Sequence, residues 1–274
     1  MNREADLIWN KDGSIYHLGI RPEELAPTIL TVGDPDRVDL VSEHLDQIHL
    51  QKHNREFKYV LGRKGNEAIG VLSTGIGTDN IDIVMHELDA LAQASHTDDP
   101  LTIIRLGTSG SIREDVPLDA ILVSEAAIGL DQLMYWYDFQ TPEKWMDLTQ
   151  GLEKLLGFRP HGTVPHAGLL AKCPSHWLKG VTLTANGFYG PQFRPTRTGT
   201  RFHDFLIQLQ QNKRLRPLTN MEMETAGIYG LSSVLGHRSL SVNAILASRL
   251  SNSFSKQPEN TVQRMIQEVF NHII

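Results

Sequence analysis

Short apolar runs rich in β-branched residues recur along this chain, at Thr28 to Val32, Ala68 to Ser73, Leu101 to Leu106, Ala120 to Val123, Val181 to Thr184 and Ser239 to Ala247. Segments with a helical period lie between several of them. That alternation restricts the chain to an α/β architecture, a mostly parallel or mixed β-sheet flanked by helices on both faces. Asp79 to Ala94 sets Ile81, Val84, Met85, Leu88 and Leu91 on one stripe of an amphipathic helix, with Asp79 as its cap. Val262, Met265, Ile266, Val269, Phe270 and Ile273 repeat the pattern after Pro258 and Asn260, which predicts a last helix packed on the core. Glu222 to Leu235, Glu143 to Leu156 and Arg201 to Gln211 predict three further helices.

No tract rich in Pro, Gly and Ser divides the 274 residues, so the chain reads as a single domain, 1–274. Leu130 to Pro174, with its aromatics Tyr135-Trp136-Tyr137, fits the alternation least and reads as an insertion or lid. Lys and Arg total 26 against 32 Asp and Glu, a net charge of -6 without a long basic block, which argues against nucleic acid as a partner. No run approaches the roughly 20 apolar residues of a membrane span, and Met1 to Asp6 lacks the apolar core of a signal peptide. The expectation is a soluble, cytoplasmic protein with no membrane partner. The single Cys173 allows no internal disulfide, in keeping with a reducing compartment.

Ligands of such sheets bind beyond the carboxyl ends of the strands, where Gly33, Gly75, Gly107 and Gly187 fall. Arg37, Arg55 and Arg105 each stand where a strand-like run breaks into a loop. Brought together, their planar forks match the oxygens of one tetrahedral anion. Thr108 adds a hydroxyl just after Arg105. Gly75-Ile76-Gly77 lacks the third glycine of a dinucleotide fingerprint, because Asn80 stands there. Gly107-Thr108-Ser109-Gly110 lacks the last glycine of a nucleophile elbow, because Ser111 stands there.

His161, His166, Cys173 and His176 raise the question of a metal, but their spacing in a Pro- and Gly-bearing segment favours solvated loop histidines. Glu222 and Glu224 flank Met223 at a strand-to-helix junction. They read either as helix-start acids favoured by the macrodipole or as acceptors for vicinal sugar hydroxyls, with Met223 on the apolar face of the sugar. Gln192 offers a donor and an acceptor and Arg194 only donors, the complement of a pyrimidine-like imide edge, with Phe188 placed to stack on a base.

Taken in order, Gly33-Asp-Pro-Asp-Arg37, Arg55-Glu-Phe57, Ser73-Thr-Gly-Ile-Gly77, Arg105-Leu-Gly-Thr108, Gln192-Phe-Arg194 and Met221-Glu-Met-Glu224 resemble the nucleoside phosphorylases of the uridine phosphorylase type, from His17 onward. The resemblance implies a pentosyltransferase that cleaves a nucleoside, uridine or a related pyrimidine nucleoside, with inorganic phosphate as co-substrate, as in pyrimidine salvage. It implies a phosphate site of Gly33, Arg37, Arg55, Arg105 and Thr108, with Arg55 lent by a neighbouring subunit. His17, also lent by the neighbour, would join Glu222, Met223 and Glu224 on the ribose, and Phe188, Gln192, Arg194 and Arg249 would face the base. Arg105, Gln192, Arg194 and Glu224 would carry the catalysis. Glu56 would face a structural potassium ion at the subunit interface, no cofactor would be required, and the chain would assemble as a hexamer built from dimers.

The chain departs from that pattern around the base. Met221 stands in place of a tyrosine, Phe193 in place of an acid, and Gly190-Pro191 reverses the usual order. Ser248 precedes Arg249 where purine-type relatives carry an aspartate. A purine nucleoside phosphorylase, a hydrolytic nucleosidase and a non-catalytic nucleoside-binding protein remain the alternatives.

Overall fold

The runs with β character become strands because both of their faces find helices to pack against. The computed structural model describes residues 6–96 and 99–274; Met1 to Ala5, most of the charged opening stretch, and Thr97-Asp98 lie outside the described residues. In chain order the elements are β1 (Thr28–Val32), α1 (Pro35–Ser42), β2 (Gln47–Asn54), β3 (Phe57–Lys64), β4 (Glu67–Ser73), α2 (Thr78–Ala94), β5 (Thr102–Ser111), β6 (Ile121–Gly129), α3 (Glu143–Leu156), β7 (His161–Thr163), α4 (Ala167–Lys172), β8 (Leu178–Thr184), α5 (Phe205–Gln211), β9 (Leu218–Glu222), α6 (Thr225–Leu235), β10 (Arg238–Ser248), β11 (Ser253–Phe254) and α7 (Pro258–His272).

The strands form one mixed sheet in the order β11-β10-β6-β8-β9-β5-β1-β4-β3-β2, with β7 on β6. Because β10 also pairs with β5, the strands β5, β10, β6, β8 and β9 close into a circuit, and β1 to β4 extend from it as an open wing. Adjacent residues of one strand serve opposite faces. Ile29 and Ile103 join the core made with Ile81, Leu88 and Leu91 of α2 and Ile228 of α6. Leu30 and Ile104 join the core made with Val38 of α1 and Met265, Ile266 and Val269 of α7. Helices therefore cover both faces, as the alternation predicts. Leu88 is fully buried, so Leu88→Ala would cost about 2–5 kcal/mol. A third core joins α3 and α5 to β8 through Leu152, Leu209 and Leu183.

Several local expectations shift. Asp79 does not cap α2: Gly77 does, with φ of 96° and no side-chain cap hydrogen bond. Only glycine reaches that conformation without strain. Glu222 is the last residue of β9, and α6 begins at Thr225, so both acids precede the helix. The segment from Arg201 becomes helical only at Phe205.

The stretch from Leu130 to Pro174 contains a 3-10 turn at Leu133–Trp136, then α3, β7 and α4. Within it His161 is not a solvated loop histidine. It pairs with Gly129 across β7 and β6, and its ring fills the space that a Cβ at 129 would occupy. Burial lowers its pKa, against the pull of Asp131, and neither ring nitrogen has a hydrogen-bond partner. His166 and His176 are exposed. No helix of the described residues is long and apolar enough to cross a membrane.

Candidate active site

Of three parallel neighbours, β4 and β1 end side by side, while β5 runs on to Ser111, so Arg105 stands within its strand and not at the break into a loop. Their register sets Val32 against Ser73 and Thr31 against Arg105. The turns after β1 and β4 therefore bring Gly33 and Gly75 against Gly107, which lies within β5 rather than in a loop, and all three border a cavity of about 760 Å³.

Arg37 and Arg105 line this cavity with Gly33 and Thr108. Arg37 projects from the first turn of α1, opened by Asp34, whose carboxylate accepts a hydrogen bond from the Asp36 N–H. Its guanidinium makes no ion pair among the described residues. Burial and the nearby charge of Arg105 lower its pKa. An arginine held half-buried beside a second cation is a place where an anion relieves both desolvation and repulsion. Arg105 folds back over Gly107, where any Cβ would fall inside the guanidinium. A side chain at 107 would therefore push the Arg105 guanidinium away from its partners Glu224 and Asn243.

Arg105 joins two parts of the cavity. Its Nη2 lies 3.1 Å from Glu222 Oε2 and 2.6 Å from Glu224 Oε2. Its Nη1 donates to Asn243 Oδ1 at 3.1 Å. All three carboxyl and guanidinium groups are buried. Burial raises the pKa of Glu224 despite Arg105, with Glu222 adding to the rise. Burial also opposes the charge of Arg105, but Glu222 and Glu224 outweigh it and hold its pKa up. The two directions agree once the charges are counted: one guanidinium faces two carboxylates, so the cation is secure and one acid is under-compensated.

The carboxylates differ in support. Glu222 accepts from the backbone N–H groups of Glu224 and Thr225, at 2.9 Å each, and from the hydroxyls of Thr225 and Thr184. Beyond Arg105, Glu224 accepts, among the described residues, only from Gly77 N–H, at 2.8 Å. All three of Glu222, Met223 and Glu224 line the cavity; Glu222 is tied to the scaffold by its four further hydrogen bonds, while Glu224 and Met223 are freer to accept from or pack on a polyhydroxylated ring.

The far end is built by the loop after β8. Gly190–Gln192 forms a 3-10 turn, and Phe193 leaves it with φ of 57°, its ring stacked on Phe205 at 3.8 Å. Phe193 therefore turns into the core and leaves Gln192 and Arg194 facing the cavity. Arg194 lies over the Phe188 ring, 3.9 Å from its centroid, and donates through Nε to the Phe188 carbonyl at 2.9 Å. Arg249 does not line the cavity. It donates from Nη1 to the Gln192 carbonyl at 3.0 Å and braces the turn from behind. Burial, with the nearby Arg194 charge, lowers its pKa to about 10.

Besides Arg249, two predicted residues, Arg55 and His17, stand outside this cavity. Arg55 occupies the tip of the β2–β3 hairpin with φ of 56°, an uncommon conformation for a non-glycine residue, and its guanidinium lies beside Tyr16. His17 bonds through Nδ1 to Glu87 at 2.6 Å, and Asn54 donates to the His17 carbonyl at 2.7 Å. Arg55 and His17 thus share one surface patch. Glu56, the next residue of the hairpin turn, does line the cavity.

Asn243 and Phe254 were not singled out in the sequence. Asn243 is a lone amide in an otherwise apolar part of β10, and the same test that marked Arg105 in its strand would have marked it. Phe254 lines the cavity from the two-residue β11, which is too short to carry a pattern.

Comparison with known proteins agrees with this geometry. The family model of the Phosphorylase superfamily matches residues 27–273. The chain is 28% identical to the uridine phosphorylase of Thermococcus kodakarensis, over 96% of this chain and 88% of that one. It is 26% identical to the uridine phosphorylase of Haemophilus influenzae, over 86% of each chain. Among solved structures it superposes on a Trypanosoma brucei nucleoside phosphorylase described as showing uridine phosphorylase activity, with a TM-score of 0.83, 28% identity and coverage of 98% and 99%.

Proposed function

The chain belongs to the Phosphorylase superfamily, and on that premise we propose that its cavity catalyses reversible phosphorolysis of uridine or a related pyrimidine nucleoside. The observation that carries this reading is the order of groups across one cavity: Arg37 and shared Arg105 at one end, Glu224 and Met223 in the middle, Gln192 and Arg194 at the other.

Phosphate binds Arg37, Arg105, the Thr108 hydroxyl and the Gly33 backbone N–H. Met223 packs on the ribose while Glu224 accepts from its hydroxyls, fixing C1′ between the two ends. The bond from C1′ to the base nitrogen breaks with its electron pair going to the base, and a phosphate oxygen forms the new bond to C1′. The sugar becomes cation-like and the base anion-like on the way, so charge is stabilised at both ends. Gln192 and Arg194 donate to the departing uracil-like anion, Arg249 holds the Gln192 turn, and Phe188 lies against the ring. The chain itself supplies no nucleophile in this reaction, and no organic cofactor takes part.

Arg55 and His17 serve a neighbouring copy. Their shared surface patch outside the cavity supports this reading, as does the tight hairpin that sends Arg55 outward while Glu56 faces the cavity. The assembly is a dimer-built hexamer with a potassium ion beside Glu56, and the enzyme works in the cytoplasm. The whole chain acts as one domain, with the Leu130 to Pro174 stretch covering part of it.

The reading is tested by relative specificity constants for uridine, thymidine, deoxyuridine, inosine and adenosine at fixed phosphate. Preference for the pyrimidine nucleosides is expected. Preference for inosine or adenosine would sink the roles given to Gln192 and Arg194.

A further inference from the structure

Away from the cavity, His176 in the turn between α4 and β8 meets two residues of the last helix. Glu268 and His272 stand one turn apart on α7, so they share a face. His176 Nε2 lies 2.7 Å from Glu268 Oε2, and His272 Nε2 lies 3.6 Å from the same oxygen. The three donor atoms fall within 4.8 Å of one another. The imidazoles approach edge to face, with centroids 6.0 Å apart. We propose that His176, Glu268 and His272 form a surface site for a borderline divalent cation, zinc by its ligand chemistry, which clips the α4–β8 turn to the C-terminal helix.

Two imidazoles and a carboxylate are a zinc donor set, with metal–ligand bonds of about 2.0–2.2 Å. At that bond length tetrahedral ligand atoms stand roughly 3.4 Å apart, so side-chain rotations of about an ångström close the set without moving the backbone. The carboxylate is already oriented, because the buried Trp177 donates its indole N–H to Glu268 Oε2 at 2.9 Å. Such outer bonds fix a ligand and strengthen its metal. His176 is the most exposed of the three, with a side chain 61% accessible, so the remaining coordination positions face solvent and take water.

The position argues for a clip rather than a catalytic ion. β8 begins at Leu178, two residues after His176, and reaches the cavity only after Thr184. Seven strand residues span roughly 20 Å. The inference therefore stands apart from the proposed reaction, and either can fail alone.

The test uses full-length protein without an affinity tag, stripped with chelator and dialysed, then titrated with zinc chloride by calorimetry and with cobalt chloride by visible absorption. One saturable zinc per chain and a raised Tm are expected. H176Q and H272Q should each weaken zinc more than about tenfold, and W177F, which keeps all three ligands, about tenfold. Uridine phosphorolysis should be the same with and without zinc. Absence of saturable binding, or unchanged affinity in both histidine variants, would overturn the site; a rate that requires zinc would overturn the clip.

Discussion

Arg105 Nη2 stands 2.6 Å from Glu224 Oε2, so the guanidinium that faces the anion end of the cavity also holds the carboxylate of its middle. The proposed phosphate and sugar sites are therefore not independent. An anion that draws Arg105 toward itself changes the charge seen by Glu224. The orientation of Arg105 in turn depends on a polar belt inside the closed circuit of strands. Asn243 accepts from Arg105 and donates to Ser124 Oγ at 3.1 Å; Ser124 and Thr182 share a hydrogen bond, Thr182 bonds Asn220, and Asn220 donates to Ser109 back on β5.

Asn243 acts as a positioning residue. N243A should raise the KM for phosphate about tenfold, since a hydrogen bond to a charged group contributes about 1.5–3 kcal/mol. The KM for uridine should stay near its original value, and N243S should recover part of the loss. Initial rates over both substrates check this. An equal rise in both constants would mean general loosening of the circuit instead.

Glu224 predicts an acid limb. Burial, in excess of its pairing with Arg105, raises the carboxyl pKa in the folded protein above the ordinary 4.5, so the free enzyme takes up a proton on acidification earlier than an exposed glutamate would. The protonated acid loses acceptor strength toward ribose. The specificity constant for uridine should fall as pH drops through that raised value, and E224Q should lack this limb while being slow at every pH. The linkage sign for folding is opposite. A raised pKa favours the folded state below about pH 4.5 and that contribution is lost as pH rises through the folded value, so E224Q should gain in relative stability toward neutral pH in urea unfolding.

Arg55 and Glu224 should complement across copies. R55A and E224Q are each expected to be nearly inactive alone. Co-refolded in equal amounts, they should recover activity at up to about a quarter of the sites, those that pair an intact Glu224 with an intact Arg55 from the neighbour. Mixtures no better than the parents would mean that Arg55 does not serve a partner's cavity.

Much of the scaffold was legible because its signal is periodic. The stripe Ile81 to Leu91 gave α2, and the bounds of β1 and α3 match their apolar patterns to the residue. The strands β2 and β9 escaped because β2 is largely exposed on the sheet's edge and β9 carries Thr219, Asn220 and Glu222 into a polar interior. Of the three arginines, the structure brings two into one cavity and leaves Arg55 on the surface. Chain order shows where apolar runs stop, but not that β5 continues past Arg105 and Gly107 to Ser111, nor which strands close on each other. For that reason the partners of Arg105 on β10 and after β9 were not readable, nor was the meeting of His176 with α7.

The central claim is that the anion at Arg37 and Arg105 is a reactant. It is tested most directly by following uracil release from uridine in phosphate-free buffer and across a phosphate series, with ribose 1-phosphate measured in parallel. Release that is negligible without phosphate, saturates with it and matches ribose 1-phosphate mole for mole is predicted, with R105A slower by about 10²–10³ at saturating uridine. Uracil released at the same rate without phosphate, with free ribose as co-product, would contradict it.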